Sequence, residues 1–331
     1  WGEGFFGGPG RLLPAARWAP ERRRDRRGGP SAEAEAGLLE FPAARPLHLL
    51  DGAWPTQDSP WLGVWSADEG RLADALVPGA SDAALAAVLL RYAQHHHADL
   101  ALVDSLADLG AAEQEALASE WSRWLFSRLL IPQLSLLVME GRLLPLASPA
   151  LRVGVDGVVE GFWLSHGGAT MATLWPRAVD EPDALIASLL WLLEQALLPW
   201  ISALTRVTGC RPRVLWSNAA GYWHWWLTSE PLVSRLTTLA REAAQVAELR
   251  RQTALRFIDQ LTLPSSSMYA GSALRSLARN PLYQPLRLRL IAGEAVMVRR
   301  VCCQRHRLPH LPLCTSCPLA SANSRRLGAS S

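Results

Sequence analysis

The chain has 331 residues, of which 49% are hydrophobic and 19% charged, and its net charge is +3. That apolar share excludes a disordered chain, and the length suits one large domain or two. So small a net charge gives no electrostatic footprint for nucleic acid. All 33 basic residues are Arg. They gather late: residues 281–331 hold eight Arg against one acid, Glu294, and the rest of the chain is net acidic.

Residues 1–45 are rich in Gly, Arg, Pro and Ala without periodicity, which predicts a disordered or dispensable extension. No apolar stretch follows the Arg22–Arg27 cluster, so a signal peptide is not expected. Residues 46–280 are expected to form a helical domain. Its first strong signal is Ser81 as an N-cap, with Leu85, Val88, Leu89 and Tyr92 on one face. His95, His96 and His97 follow. Neighbours on a helix spread about 100° apart and cannot face one ion, so these predict a solvated helix end. Leu117, Trp121, Trp124 and Leu125 mark a second helix running toward Pro132.

Asp156-Gly157 between Leu151–Val155 and Val158–Trp163 is a two-residue hairpin signal. Leu185, Leu189, Leu192, Leu193 and Ala196 mark another helix, and its apolar window carries Glu194 and Pro199. A membrane span needs about 20 mostly apolar residues, so a buried core helix is expected. The 15 Trp are expected mainly to fill the core, with peripheral membrane contact left open. Cys210 reads as a bend or core thiol, and Leu232, Leu236, Leu239 and Ala240 as one more helical face.

Residues 281–331 form a separate C-terminal segment. A second hairpin, Leu286–Ile291 and Ala295–Val301 turning at Ala292-Gly293-Glu294, leads straight into the cysteines. The predicted fold class is mainly α with a small antiparallel β component (α+β), ending in a cysteine-ligated cluster loop after a β-hairpin.

Cys302, Cys303, Cys314 and Cys317 follow the pattern C-C-x10-C-x2-C. Four thiolates are what a [2Fe–2S] cluster needs, two per iron. The x2 spacing lets Cys314 and Cys317 curl around one metal, whereas adjacent Cys302 and Cys303 need an unusual backbone to share a site. A structural zinc is the main rival, and reversible Cys314–Cys317 disulfide chemistry is another. Arg299, Arg300, Arg305 and Arg307 surround the motif. Positive charge there favours adding an electron to an anionic cluster. His306 and His310 lie in the same loop as Rieske-like candidates. The G-x-G-x-x-G match at Gly2–Gly7 has no strand before it, so no nicotinamide or flavin site is expected.

The stretch Val298–Pro309, with Cys314-Thr315-Ser316-Cys317, resembles the C-terminal signature of FhuF-type ferric-siderophore reductases. Leu215–Tyr222 resembles that family's central Trp-Ser-Asn segment. Trp121–Trp124 running to Pro132, and Asn280–Tyr283, are also similar to it. The resemblance covers roughly 80–318, and nothing is carried onto the region before it.

The resemblance implies a [2Fe-2S] cluster held by Cys302, Cys303, Cys314 and Cys317. It implies one-electron reduction of Fe(III) in an imported siderophore, releasing Fe(II) for assimilation. The expected substrate is a ferric siderophore of hydroxamate type, and the electron comes from an external donor. The expected place is the cytoplasm, with peripheral association at the inner membrane or with a siderophore importer left open. Trp216, Asn218 and Tyr222, with Trp223–Trp226, form an aromatic run that suits an organic chelate or the cluster's surroundings. A buried amphipathic helix is the competing reading of that run. The functional alternatives are a zinc-stapled non-catalytic protein, and an iron–sulfur electron carrier or sensor with another acceptor.

Overall fold

A computed structural model describes residues 64–66, 76–77, 81–143, 150–164, 182–263, 279–291, 294–309, 311–314 and 316–319. The expected N-terminal extension, residues 1–45, lies outside the described residues, as does His310.

Helix α1 (Asp82–His96) begins where its cap predicts: the Ser81 hydroxyl accepts from Ala84 N–H at 3.2 Å. Leu85, Val88, Leu89 and Tyr92 are buried along one face. Helix α2 (Ala111–Glu140) follows, and the Glu113 carboxylate accepts from Gly110 N–H at its start. It runs 30 residues, straight through Pro132. A proline inside a helix costs about 3 kcal/mol, but α2 is buried on nearly every side from Ala116 to Val138. The packing outweighs the lost hydrogen bond. At the far end Gly141 takes the left-handed conformation, and the buried Arg250 guanidinium donates to the Val138 and Met139 carbonyls.

Strands β1 (Val64–Ser66), β2 (Ala150–Val153) and β3 (Val159–Leu164) form one sheet in the order β1-β3-β2. The β2–β3 pair is antiparallel and confirms the expected hairpin, but β1 adds a parallel strand from a region where sequence gave no signal. The connection is five residues long, not two. Asp156 Oδ1 takes the Val158 N–H at 3.0 Å, and Gly157 sits at φ +80°. Gly157 presses against α1, and its carbonyl accepts from the buried Trp121 indole at 2.9 Å.

Helix α3 (Pro182–Trp191) passes through a wide π-turn (Leu192–Leu197) into α4 (Leu198–Thr208). The wider turn carries the chain past Pro199 without ending the helix. Together Asp183–Thr208 are long and apolar enough to cross a membrane by length and composition, with mean hydropathy 1.7. Within this chain 56% of the most apolar window is buried, and Leu189, Leu192, Trp200 and Leu204 belong to the core.

Helix α5 (Pro212–Leu227) packs along α2 at the centre of the molecule. Helices α6 (Glu230–Leu236) and α7 (Arg241–Asp259) complete the body. Trp121, Trp200, Trp223, Phe126, Phe162 and Phe257 are fully buried, with Trp223 stacked on Phe257. Buried indoles also find acceptors: Trp223 Nε1 donates to Ala254 O and Trp226 Nε1 to Ser135 Oγ. Asn280 donates to Leu261 O and Phe257 O, docking the next segment on the end of α7. From there β4 (Leu286–Ile291) and β5 (Glu294–Arg299) form the second expected hairpin, with Ile291 opposite Glu294.

Candidate metal centre

The cysteine loop is tied to strand β5 and to the helical body. Arg299 N–H donates to Ser316 O at 2.8 Å, joining the end of β5 to the second cysteine pair. Ser119 on α2 donates its hydroxyl to Cys303 O at 2.6 Å. Between these ties the backbone reverses at Gln304, which adopts φ +61°. A side chain in that left-handed region is strained. The conformation turns Gln304 N–H back onto Cys302 Sγ at 3.3 Å, and Leu319 N–H reaches Cys317 Sγ at 3.4 Å. Here is the unusual backbone that an adjacent cysteine pair calls for.

The four thiols are free. Cys303 and Cys317 are buried, while Cys302 and Cys314 are partly exposed. Cys303 Sγ and Cys314 Sγ stand 3.7 Å apart. A disulfide would need about 2.05 Å, whereas two thiolates about 2.3 Å from one tetrahedral ion stand about 3.8 Å apart. The hydrogen bond between that pair holds Cys303 below the usual thiol range, helped by the charges of Arg299 and Arg123 against the effect of burial. The same hydrogen bond and burial push Cys314 up, opposed by Arg299. Burial pushes Cys302 up, opposed by the Gln304 N–H.

The residues fit a two-iron cluster. Backbone N–H groups already point at two of the sulfurs. The buried Ser316 hydroxyl, inside the Cys314–Cys317 turn, makes no hydrogen bond among the described residues. It is a donor in want of an acceptor such as sulfur. Among the described residues no three His, Cys, Asp or Glu side chains converge to hold one ion.

Beneath the loop lies a buried polar network. Arg299, only 3% exposed, donates to Asn218 Oδ1 and, at 3.3 Å, to Ser217 Oγ. Asn218 Nδ2 lies 2.9 Å from Ser119 O, 3.0 Å from Ser119 Oγ and 2.9 Å from Ser122 Oγ. The chain Arg299–Asn218–Ser119–Cys303 therefore links β5, α5, α2 and the cysteine loop. Nearby, Glu120 pairs with Arg123 at 2.9 Å and faces Arg305 at 3.8 Å.

Of the four arginines expected around the motif, Arg299 goes inward and Arg305 leans on Glu120. Arg307 is exposed and reaches Glu115 and Gln304. Arg300 stacks over the Tyr283 ring at 5.4 Å. Trp216, Asn218 and Tyr222 are all buried. They support the site from below and do not form an open aromatic wall. Burial raises the Tyr222 phenol, which lies in the field of Arg123, Glu120 and Arg299. His306 Nδ1 is 3.8 Å from Cys302 Sγ.

The histidine run corrects one expectation. His95 binds Arg91 O and His96 binds Asp156, but His97 is buried edge-on against Tyr92 rather than solvated. Cys210 is a core thiol as expected, pushed up to about 12 by burial and by Glu115.

Sequence reasoning missed Ser119, Ser122, Glu120, Arg123 and the cavity-lining Arg211 and Arg213. The local signal was slight: Ser119 and Ser122 lie one turn apart among the buried positions of α2. The cavity, about 180 Å³, opens beside Cys302 and is also lined by Val214, Gln304, His306 and Arg307.

The structure is that of a mainly helical protein with a C-terminal four-cysteine segment whose residues fit a two-iron cluster. The family described as Ferric iron reductase FhuF-like transporter matches residues 119–262. That described as FhuF 2Fe-2S C-terminal domain matches residues 299–319. A protein named Ferric siderophore reductase from Escherichia coli (strain K12) is 27% identical over 211 residues, covering 62% of this chain and 67% of that protein. The chain is thus similar to the FhuF-type family over these two stretches, and its C-terminal segment matches that family's 2Fe-2S domain.

Proposed function

We propose that the protein is a ferric-siderophore reductase, with residues 46–280 as its helical domain and 281–331 as its cluster-binding segment. The observation that carries this reading is the four-thiol loop seated on the buried Arg299–Asn218–Ser119 network, within the matched 2Fe-2S domain. Cys302, Cys303, Cys314 and Cys317 would hold the cluster. A [2Fe–2S] cluster bound there supplies one electron at a time, taken from an external one-electron donor and passed to chelated Fe(III), which becomes Fe(II).

The chain's own residues prepare that exchange. Gln304 and Leu319 N–H groups donate to cysteine sulfur, and Arg299 places a buried positive charge beside it. Both favour the more negative state and raise the potential. Siderophore oxygens hold hard Fe(III) far better than Fe(II), so one electron releases the metal with the chelator intact. Hydroxamate siderophores in the cytoplasm are the substrates this reading assigns, with peripheral contact to the inner membrane or an importer as a further element of it.

The test is to reduce anaerobically purified protein with dithionite and mix it with ferrioxamine or ferrichrome. Rapid return of the oxidised visible spectrum, with stoichiometric Fe(II), supports the proposal. Slow re-oxidation by every chelate tried, alongside fast oxidation by a carrier protein, would overturn it. Cys302→Ser should remove the visible colour and leave the helical far-UV signal, because α1 to α7 pack chiefly against one another. Loss of helicity would point to a structural metal instead.

A further inference from the structure

We infer that the cavity beside Cys302 is a subsite for one anionic chelating arm of the ferric siderophore, gripped by Arg211, Arg213 and Arg307. This rests on the reductase reading above, keeps hydroxamate chelates among the substrates, and adds to it a place and a ranking of chelates by charge.

Size comes first. The cavity holds about 180 Å³, below the roughly 300–1,000 Å³ of pockets that engulf a drug-sized ligand. It admits a single hydroxamate or catecholate group and leaves the rest of the chelate outside. Charge comes second. Three guanidinium groups and His306 line the cavity, and no acid does. One carboxylate lies behind two of the arginines: Glu115 is 3.5 Å from Arg211 Nε through one oxygen and 3.5 Å from Arg307 Nη1 through the other. Glu115 thus sets the α5 side and the cysteine-loop side facing each other, yet leaves the rim net positive. Arg213 is exposed and makes no ion pair with another described residue.

Chemistry comes third. The iron-binding oxygens of these chelators carry the negative charge, and the planar fork of Arg matches paired oxygens in two-point contact. Cys302 is the cysteine that lines this cavity, while Cys303 and Cys317 are buried behind it. An arm seated between the arginines therefore lies against the one ligand-bearing sulfur that opens to the pocket.

The expected consequence is selection by charge. A triscatecholate complex, which is strongly anionic, should bind more tightly than a neutral trihydroxamate, and added salt should narrow the gap.

Gallium(III) complexes of both chelators, titrated calorimetrically into the full-length cluster-loaded protein, read binding apart from electron transfer because Ga(III) is not reduced. Arg213→Gln should weaken the triscatecholate complex about tenfold, the factor that about 1.4 kcal/mol represents. It should weaken the trihydroxamate complex less than threefold. Its visible spectrum and thermal midpoint should match the wild type, since Arg213 supports nothing else in the described structure. Arg213→Glu should abolish binding of the anionic complex.

Equal affinity of wild type and both variants for the triscatecholate complex would overturn the subsite. The ferric complexes, run in parallel, report on the underlying reading. Failure of every ferric chelate to oxidise the reduced wild type would remove the reductase function, whatever the gallium titrations show.

Discussion

Replacing Asn218 with Ala tests whether the buried network holds the cysteine loop in place. The substitution removes the Oδ1 acceptor from Arg299, which is 3% exposed, and leaves the longer Ser217 Oγ contact at 3.3 Å on α5. A hydrogen bond to a charged group contributes about 1.5–3 kcal/mol. The Nδ2 contacts to Ser119 and Ser122, at 2.9–3.0 Å, add about 1 kcal/mol more. The expected loss is about 3 kcal/mol, which for a body of about 200 residues lowers the thermal midpoint by about 6–12 °C. Urea unfolding followed by far-UV signal measures the loss directly. Because the same network reaches Cys303 O through Ser119, the visible chromophore should also fall to a chelator faster than in the wild type. A midpoint within 1 °C of wild type, with unchanged chromophore lifetime, would refute the reasoning and assign Arg299's support to other groups.

Two further perturbations probe the body. Gly157→Ala places a Cβ 2.6 Å from Tyr92 N and 2.8 Å from Val88 O, both backbone, at a φ of +80°. Left-handed strain of about 1–2 kcal/mol and overpacking of about 1–3 kcal/mol should together cost about 3 kcal/mol in urea unfolding. A neutral result would mean that the β2–β3 turn does not dock on α1 as described. His224 supplies a pH dependence: burial pushes its imidazole down from the ordinary value, against a weaker opposing pull from Asp259. Its folded pKa lies below its unfolded one, so the unfolded chain binds more protons. Stability contributed by the neutral ring is therefore present above about pH 6.5 and lost as pH falls below it. His224→Gln should flatten the fall in urea midpoint between pH 7.5 and 5, and an unaltered fall would contradict that assignment.

Much of this architecture was legible in the sequence, and what was hidden shares a cause. Ser81 and the i, i+3, i+4, i+7 spacing from Leu85 locate α1 because a helix cap and an apolar stripe are local properties. The cysteine spacing was legible for the same reason. Pro132 and Pro199 carry a local signal that the packing around α2 and α4 overrides. Strand β1 is three residues long and exists through its parallel partner β3, which no nearby residue announces. The aromatic run on α5 offered two readings, and Trp216 and Tyr222 are buried while Trp225 and Trp226 are only partly so. Glu115, Arg211 and Arg213 acquire meaning only because α2, the start of α5 and the cysteine loop meet in space.

The polar ties between the cysteine loop and α2 and α5 bear on speed as well as stability. When a site gains or loses one unit of charge, surrounding dipoles that can swing must reorient, and that motion slows the transfer. Here the nearest dipoles cannot swing: Asn218 is fixed at both ends, Ser119 is pinned between Asn218 and Cys303 O, and Arg299 is buried among them. Their orientation is set during folding, before any electron arrives. Under the proposed reductase function, the low-mobility bed under the loop would keep the reorganisation energy of each transfer small, so that a modest difference in potential between donor and chelate would be enough to drive it.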